Sequence, residues 1–177
     1  MRAAVDEQAV HAAALALGRQ LQALGAMAVT VESCTGGMIA RALTETAGSS
    51  AWFDRGFVTY SNEAKIELVG VSAATLAAHG AVSEPVAAEM AAGGLARSRA
   101  RLAISVTGIA GPGGAVPGKP VGTVCFGWAL PAGAAGASPR VLSATRHFEG
   151  DRAAVRCQAA AHALEQGLLV LMAEPKD

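Results

Sequence analysis

Ser33, Cys34, Tyr60 and Lys65 are the side chains of this sequence best placed by type and setting to do covalent chemistry. Ser33 and Cys34 stand in V-E-S-C-T-G-G (31–37), between an apolar run (Met27, Val29, Val31) and a helix-like pattern (Met38, Ile39, Ala40, Leu43). A buried strand that ends in small and hydroxylated residues and opens a helix is where α/β proteins hold reactive or phosphate-binding groups. Amide N–H groups at such a helix start lack intrahelical partners, so Ser33 falls near the positive end of a helix dipole. The residue is a candidate nucleophile; on spacing alone an N-cap is the commoner explanation of the same position.

A serine nucleophile needs a base. The four histidines (His11, His79, His147, His162) form no recognisable constellation with Ser33 and no metal-ligand pair. A lysine can serve if burial pulls its pKa down, because at about 10.4 only some ~0.1% is neutral near physiological pH. Lys65, on the helical pattern after Tyr60-Ser61-Asn62, is one such lysine, and a solvated surface lysine is its plain alternative. Tyr60 closes an apolar strand, where an aromatic wedge with its hydroxyl in water is the plain alternative. Cys34 is the rival nucleophile, since a helix start lowers a thiol pKa; small core filler is its other role.

A second glycine-rich segment, Thr107–Gly114 (T-G-I-A-G-P-G-G), follows the apolar strand Leu102–Val106. It fits either close backbone approach to a ligand or a series of tight turns. Both loops follow strands, so both can border one crevice. Arg146, Arg152 and Arg156 flank the last strand–helix junction, as an anion clamp or an exposed basic rim. Arg146 ranks first, lying on the strand side of that junction.

The elements that must position these residues alternate. Helical spacing over Asp6–Leu24 (Val10, Ala14, Leu17, Leu21, Leu24) ends at Gly25, and Met27–Val31 reads as a strand. A helix then runs from the Ser33 turn to about Thr46, followed by a loop over 47–50 and a strand over Trp52–Tyr60 with a bend at Asp54-Arg55-Gly56. Three helices follow: Asn62–Val69 capped by Ser61, Ser72–His79, and one capped by Ser83 whose Gly93-Gly94 pair implies close packing or an early end. Leu102–Val106, Val121–Leu130 and Val141–Phe148 are strands, and Pro131–Pro139 is a small-residue loop. A last helix reaches Met172 with Val155, Ala159, His162 or Ala163 and Gln166 on its stripe; the tail 173–177 frays. The expected architecture is α/β: a single three-layer α/β/α domain over 1–177, with a mixed, mostly parallel sheet.

Composition narrows the partners. Apolar residues make up 52% of the chain and charged residues 16%, with zero formal net charge, so a compact fold is expected. No basic excess marks a nucleic-acid or membrane partner. Three scattered cysteines support neither a disulfide framework nor a zinc ribbon. No signal peptide or membrane-spanning run is visible, and a cytoplasmic location is expected.

V-E-S-C-T-G-G (31–37), G-F-V-T-Y-S-N-E-A-K (56–65), T-G-I-A-G-P-G-G (107–114), K-P-V-G-T-V (119–124) and R-H-F-E-G-D-R (146–152) together resemble the CinA C-terminal domain family. Its enzymatic members deamidate nicotinamide mononucleotide (NMN). The resemblance spans almost the whole chain, in order. It departs at Ala115-Val116-Pro117-Gly118, where the family often has a further glycine and a hydroxyl residue. It implies hydrolysis of the NMN carboxamide to nicotinate mononucleotide and ammonia, with no cofactor and no metal. The family's serine–lysine pair falls on Ser33 and Lys65, and its motif tyrosine on Tyr60. Thr35, Gly36 and Gly37 would hold the oxyanion, and Tyr60 would relay the proton or fix the lysine. Thr107, Gly108, Gly111 and Gly113, with Arg146, are the expected phosphate contacts. The expected partner is a small-molecule pyridine mononucleotide, and the chain is expected to be a homo-oligomer. A nucleotide-binding or partner-binding module without catalysis is the alternative, and a Cys34 hydrolase is a third.

Overall fold

The computed structural model describes residues 6–133 and 137–174. Five strands form one sheet in the order β2-β1-β3-β4-β5: β1 (Ala28–Glu32), β2 (Phe53–Val58), β3 (Leu102–Gly108), β4 (Thr123–Leu130) and β5 (Arg140–His147). β1 pairs in parallel with β2 and β3, whereas β4 runs antiparallel to both its neighbours. Four of the five strands therefore point the same way, and the sheet is mixed as expected. β1 and β3 are buried along nearly their whole length, as a sheet covered on both faces requires.

Helices α1 (Glu7–Ala23), α2 (Met38–Thr44) and α6 (Arg152–Met172) cover one face, packed around Leu17, Leu21, Ile104, Phe126 and Leu164. The stripe expected for α1 is buried through Leu21, but Leu24 lies beyond the helix and is 41% exposed. On α6 the buried stripe passes through Val155, Ala159, Ala163 and Gly167; Gln166 is only partly buried. The other face carries α3 (Asn62–Val69), α4 (Ala73–His79) and α5 (Glu84–Ala96), with Val69, Val86 and Met90 against Val31. The expected bend in β2 is a register shift: Ala28 faces Phe53 and Val29 faces Arg55, which skips Asp54. Asp54 bonds Arg55 and Arg99 there, and these donors hold its carboxyl below the usual carboxylate range.

Gly93 and Gly94 lie inside α5 and mark close packing, not its end. A Cβ on Gly93 would fall 1.8 Å from the Val69 carbonyl oxygen, and one on Gly94 would fall 2.4 Å from Val31 Cγ2. Residues 134–136 of the expected Pro131–Pro139 loop and 175–177 of the frayed tail lie outside the described residues.

Candidate active site

The chain goes from β1 outward to β2, then crosses back to place β3 on the other side of β1. Ligands of open α/β sheets bind beyond the carboxyl ends of the strands at such a reversal. Here a cleft of about 230 Å³ opens at that edge, lined by residues including Ser33, Tyr60, Lys65, Thr107 and Arg152. Ser33 follows β1, Tyr60 follows β2 and Thr107 stands at the carboxyl end of β3 beside Gly108, so three neighbouring strands deliver the lining.

Ser33 does not cap a helix. The turn at 33–37 is longer than the sequence suggests, because Gly36 (φ +59°) and Gly37 (φ +94°) take left-handed backbone before α2 begins at Met38. The Ser33 N–H donates to the Val106 carbonyl at 2.9 Å, which ties the turn to β3. Its capping group is Glu32, a residue that sequence reasoning missed. This carboxylate is 1% exposed and accepts from Thr35 Oγ1 (2.7 Å) and from the N–H groups of Gly37 (3.1 Å), Ile39 (3.0 Å) and Ala40 (2.8 Å). Those are the orphan donors of a helix start, answered by one buried anion at its positive end.

Lys65 is buried, 1% exposed, and its Nζ lies 3.2 Å from Ser33 Oγ. The helix α3 brings it there: Ser61 caps that helix, and the lysine stem runs back toward the carboxyl end of β1. The amine also faces the carbonyl oxygens of Thr59 (2.9 Å), Tyr60 (3.4 Å) and Ser61 (3.5 Å). Burial lowers the Lys65 pKa, against the opposing pull of Cys34 and Glu63. Carbonyls can only accept, so a neutral amine would give its two hydrogens to them and leave its lone pair for the hydroxyl.

Several expected residues sit differently. Tyr60 reaches Lys65 through its backbone carbonyl alone; its ring is 61% exposed and its hydroxyl accepts from Arg152 Nη2 at 3.1 Å. It has no hydrogen bond to Ser33 or to the lysine through its hydroxyl, so the relay expected of it has no path here. The oxyanion donors expected from Gly36 and Gly37 are taken: Gly36 N–H donates to the Ser33 carbonyl at 3.0 Å and Gly37 N–H to Glu32. The Thr35 hydroxyl is likewise spent on Glu32. Among the described residues, no oxygen takes up the N–H groups of Cys34 and Thr35. Cys34 lines the cleft, whereas Thr35 is wholly buried and lies outside the lining.

Arg146 stays outside the cleft. It pairs across the sheet with Val124, hence on the face under α6, and its Nη1 donates to the Thr145 carbonyl. Arg152 lines the cleft instead, with Nη1 on the Gly111 carbonyl (2.7 Å). Thr107 and Gly108 reach the cleft, although the Thr107 hydroxyl donates to the Ala81 carbonyl (2.9 Å). Gly111 takes part only by holding Arg152, and Gly113 lies in the exposed part of the loop, away from the lining. Arg156 turns to the backbone of the Ser33 turn, with Nε on the Cys34 carbonyl (3.1 Å) and Nη2 on the Thr35 carbonyl (2.9 Å). Burial pushes the Cys34 thiol up to about 12, which removes the thiolate a cysteine nucleophile requires.

Fold and site define a three-layer α/β domain with a buried hydroxyl–amine pair at the strand edge where the sheet order reverses. The family model for the CinA C-terminal domain matches residues 10–171, and the chain belongs to that family. It is 54% identical over 164 residues to a nicotinamide-nucleotide amidohydrolase PncC of Enterobacter agglomerans, covering 93% of this chain and 96% of the relative. The PncC of Escherichia coli K12 is also 54% identical, over 149 residues, covering 84% of this chain and 87% of the relative. A crystal structure of a competence/damage-inducible protein from Agrobacterium tumefaciens superposes with a TM-score of 0.84 at 43% identity, covering 97% and 99% of the two chains. One from Klebsiella pneumoniae gives 0.86 at 38% identity, covering 94% and 99%. Among the described residues, no helix is long and apolar enough to cross a membrane.

Proposed function

We propose that this chain hydrolyses the carboxamide of NMN to nicotinate mononucleotide and ammonia, with Ser33 as nucleophile and Lys65 as base. The observation that carries the reading is the 3.2 Å contact between Lys65 Nζ and Ser33 Oγ, both residues buried at the floor of the cleft. Relatives over half identical to this chain bear the name of that activity.

Neutral Lys65 takes the Ser33 proton as Oγ bonds to the carboxamide carbon. The carbonyl oxygen becomes an oxyanion, and the unpartnered N–H of Cys34, at the cleft lining, is the donor available to it; one such donor is worth about 3 kcal/mol. The Lys65 ammonium then gives its proton to the leaving nitrogen, the C–N bond breaks and ammonia departs. Water, deprotonated by the same amine, adds to the acyl carbon and releases nicotinate mononucleotide while Ser33 regains its proton. Arg152 supports the substrate phosphate in place of Arg146, because its guanidinium faces the cleft and still has free donors.

Purified protein incubated with NMN should release ammonia and the acid product. Ser33→Ala and Lys65→Met should each abolish turnover while NMN still binds to Ser33→Ala. Undiminished ammonia release by Ser33→Ala would refute the serine reading.

A further inference from the structure

Arg156 is a side chain whose role neither the fold nor the proposed chemistry has yet used. It comes from the second turn of α6, far along the chain from Ser33, and places two donors on two consecutive carbonyls of the nucleophile turn. A half-buried arginine beside a cleft more usually meets an anion. Here the fork is closed on backbone, and no acidic side chain pairs with it among the described residues.

A trans peptide carries its C=O and its N–H on opposite sides. With the Cys34 carbonyl drawn to Arg156 at 3.1 Å, the N–H of the same peptide, that of Thr35, must face the other way. With the Thr35 carbonyl drawn to it at 2.9 Å, the Gly36 N–H is turned inward, where it donates to the Ser33 carbonyl. That bond in turn orients the peptide between Ser33 and Cys34, so the Cys34 N–H faces away from the Ser33 carbonyl. The Cys34 N–H, the unpartnered amide that borders the cleft, is one whose direction this chain of contacts sets.

We infer that Arg156 is a positioning residue for the reaction: by gripping the Cys34 and Thr35 carbonyls from α6, it holds the turn so that the Cys34 N–H faces the oxyanion formed on Ser33. The inference rests on the serine reading above. It assigns Arg156 no contact with the substrate, which separates it from a phosphate clamp.

The test is steady-state ammonia release from NMN by wild type, Ser33→Ala, Arg156→Ala and Arg156→Lys, with thermal melts of each. Arg156→Ala should lose about 10²–10³-fold in kcat, the loss typical of an oxyanion donor, with KM within about threefold of wild type. Free guanidinium should restore part of that kcat. Arg156→Lys, which keeps the charge but can grip only one carbonyl well, should fall between the two and supplies the measurement if Arg156→Ala does not fold. A raised KM at unchanged kcat in either variant would overturn the inference in favour of substrate binding, and unchanged kinetics would overturn it outright. An inactive wild type or an active Ser33→Ala would instead bring down the serine reading and the inference with it.

Discussion

Replacing Glu32 by glutamine changes one buried atom and tests whether the nucleophile turn depends on a carboxylate. Oε2 accepts three of the four hydrogen bonds, and Oε1 accepts only that of the Ala40 N–H, at 2.8 Å. A glutamine keeps the three by placing its oxygen at the Oε2 position, which turns its NH2 group against the Ala40 N–H. The variant loses one charge-assisted bond, worth about 1.5–3 kcal/mol, and leaves buried donors facing each other, at about 1–3 kcal/mol more. The lost negative charge at the start of α2 adds to this. A destabilisation of about 3 kcal/mol or more follows, a Tm drop of at least about 6 °C for a chain of this size. Calorimetry on wild type, Glu32→Gln and Glu32→Asp checks it, with kcat measured well below both transitions. Glu32→Gln keeps the Thr35 and Gly37 bonds while the shorter aspartate cannot reach them, so the larger loss of kcat, more than tenfold, should fall on the folded Glu32→Asp variant. A Glu32→Gln protein melting within about 2 °C of wild type, with full activity, would refute the argument that this carboxylate holds the turn.

Lys65 has a pKa lowered by burial, so kcat/KM should rise with pH along an acid limb whose pKa lies below the ordinary 10.5; a rate flat between about pH 5 and 9 would refute the base. The same shift makes the unfolded chain bind more protons than the native one between the lowered native value and about 10.4, so stability rises with pH across that window, and denaturant titrations of Lys65→Met should lose that slope. Cys34→Ala should keep kcat within about threefold, since the thiol is held protonated; a loss above tenfold would revive the cysteine nucleophile. Gly93→Ala should unfold the protein or lower its Tm by at least about 6 °C, because its Cβ would overlap the Val69 carbonyl; a melt within about 2 °C of wild type would contradict that packing.

The alternation of elements was legible because each has its own period and punctuation. Asp6, Ser61, Ser72 and Ser83 all cap helices with their side chains, and the β2 bend fell on Asp54-Arg55-Gly56. The serine and lysine could be named as candidates from the sequence, and a serine nucleophile with a lysine base required them to touch, but no spacing in the sequence showed how they meet. Thirty-two residues separate them, and only the pairing of β1 with β2 and the run of α3 bring them together. Glu32 was missed because a glutamate between a strand and a serine looks like a solvated strand end. One signal was present: α2 begins after Gly37, which has no side chain to cap it, so its orphan donors needed an acceptor from elsewhere. Arg146 was preferred over Arg152 by chain position. The choice failed on strand register, which puts Arg146 opposite Val124 on the helix-covered face. Of the expected Thr35, Gly36 and Gly37 donors, the last two are spent inside the turn for a similar reason: which amide of a turn is free depends on where every carbonyl around it points.

The contact between Gly93 and the Val69 carbonyl reaches further than packing. Val69 ends the helix that carries Lys65, and Arg97 donates to the carbonyls of both Val69 and Gly93, riveting that helix end to α5. The height of the amine above the serine is thus set by residues that do not line the cleft. A screen that scores ammonia output alone would flag Gly93 and Arg97 as though they belonged to the chemistry, when they act as the footing beneath it.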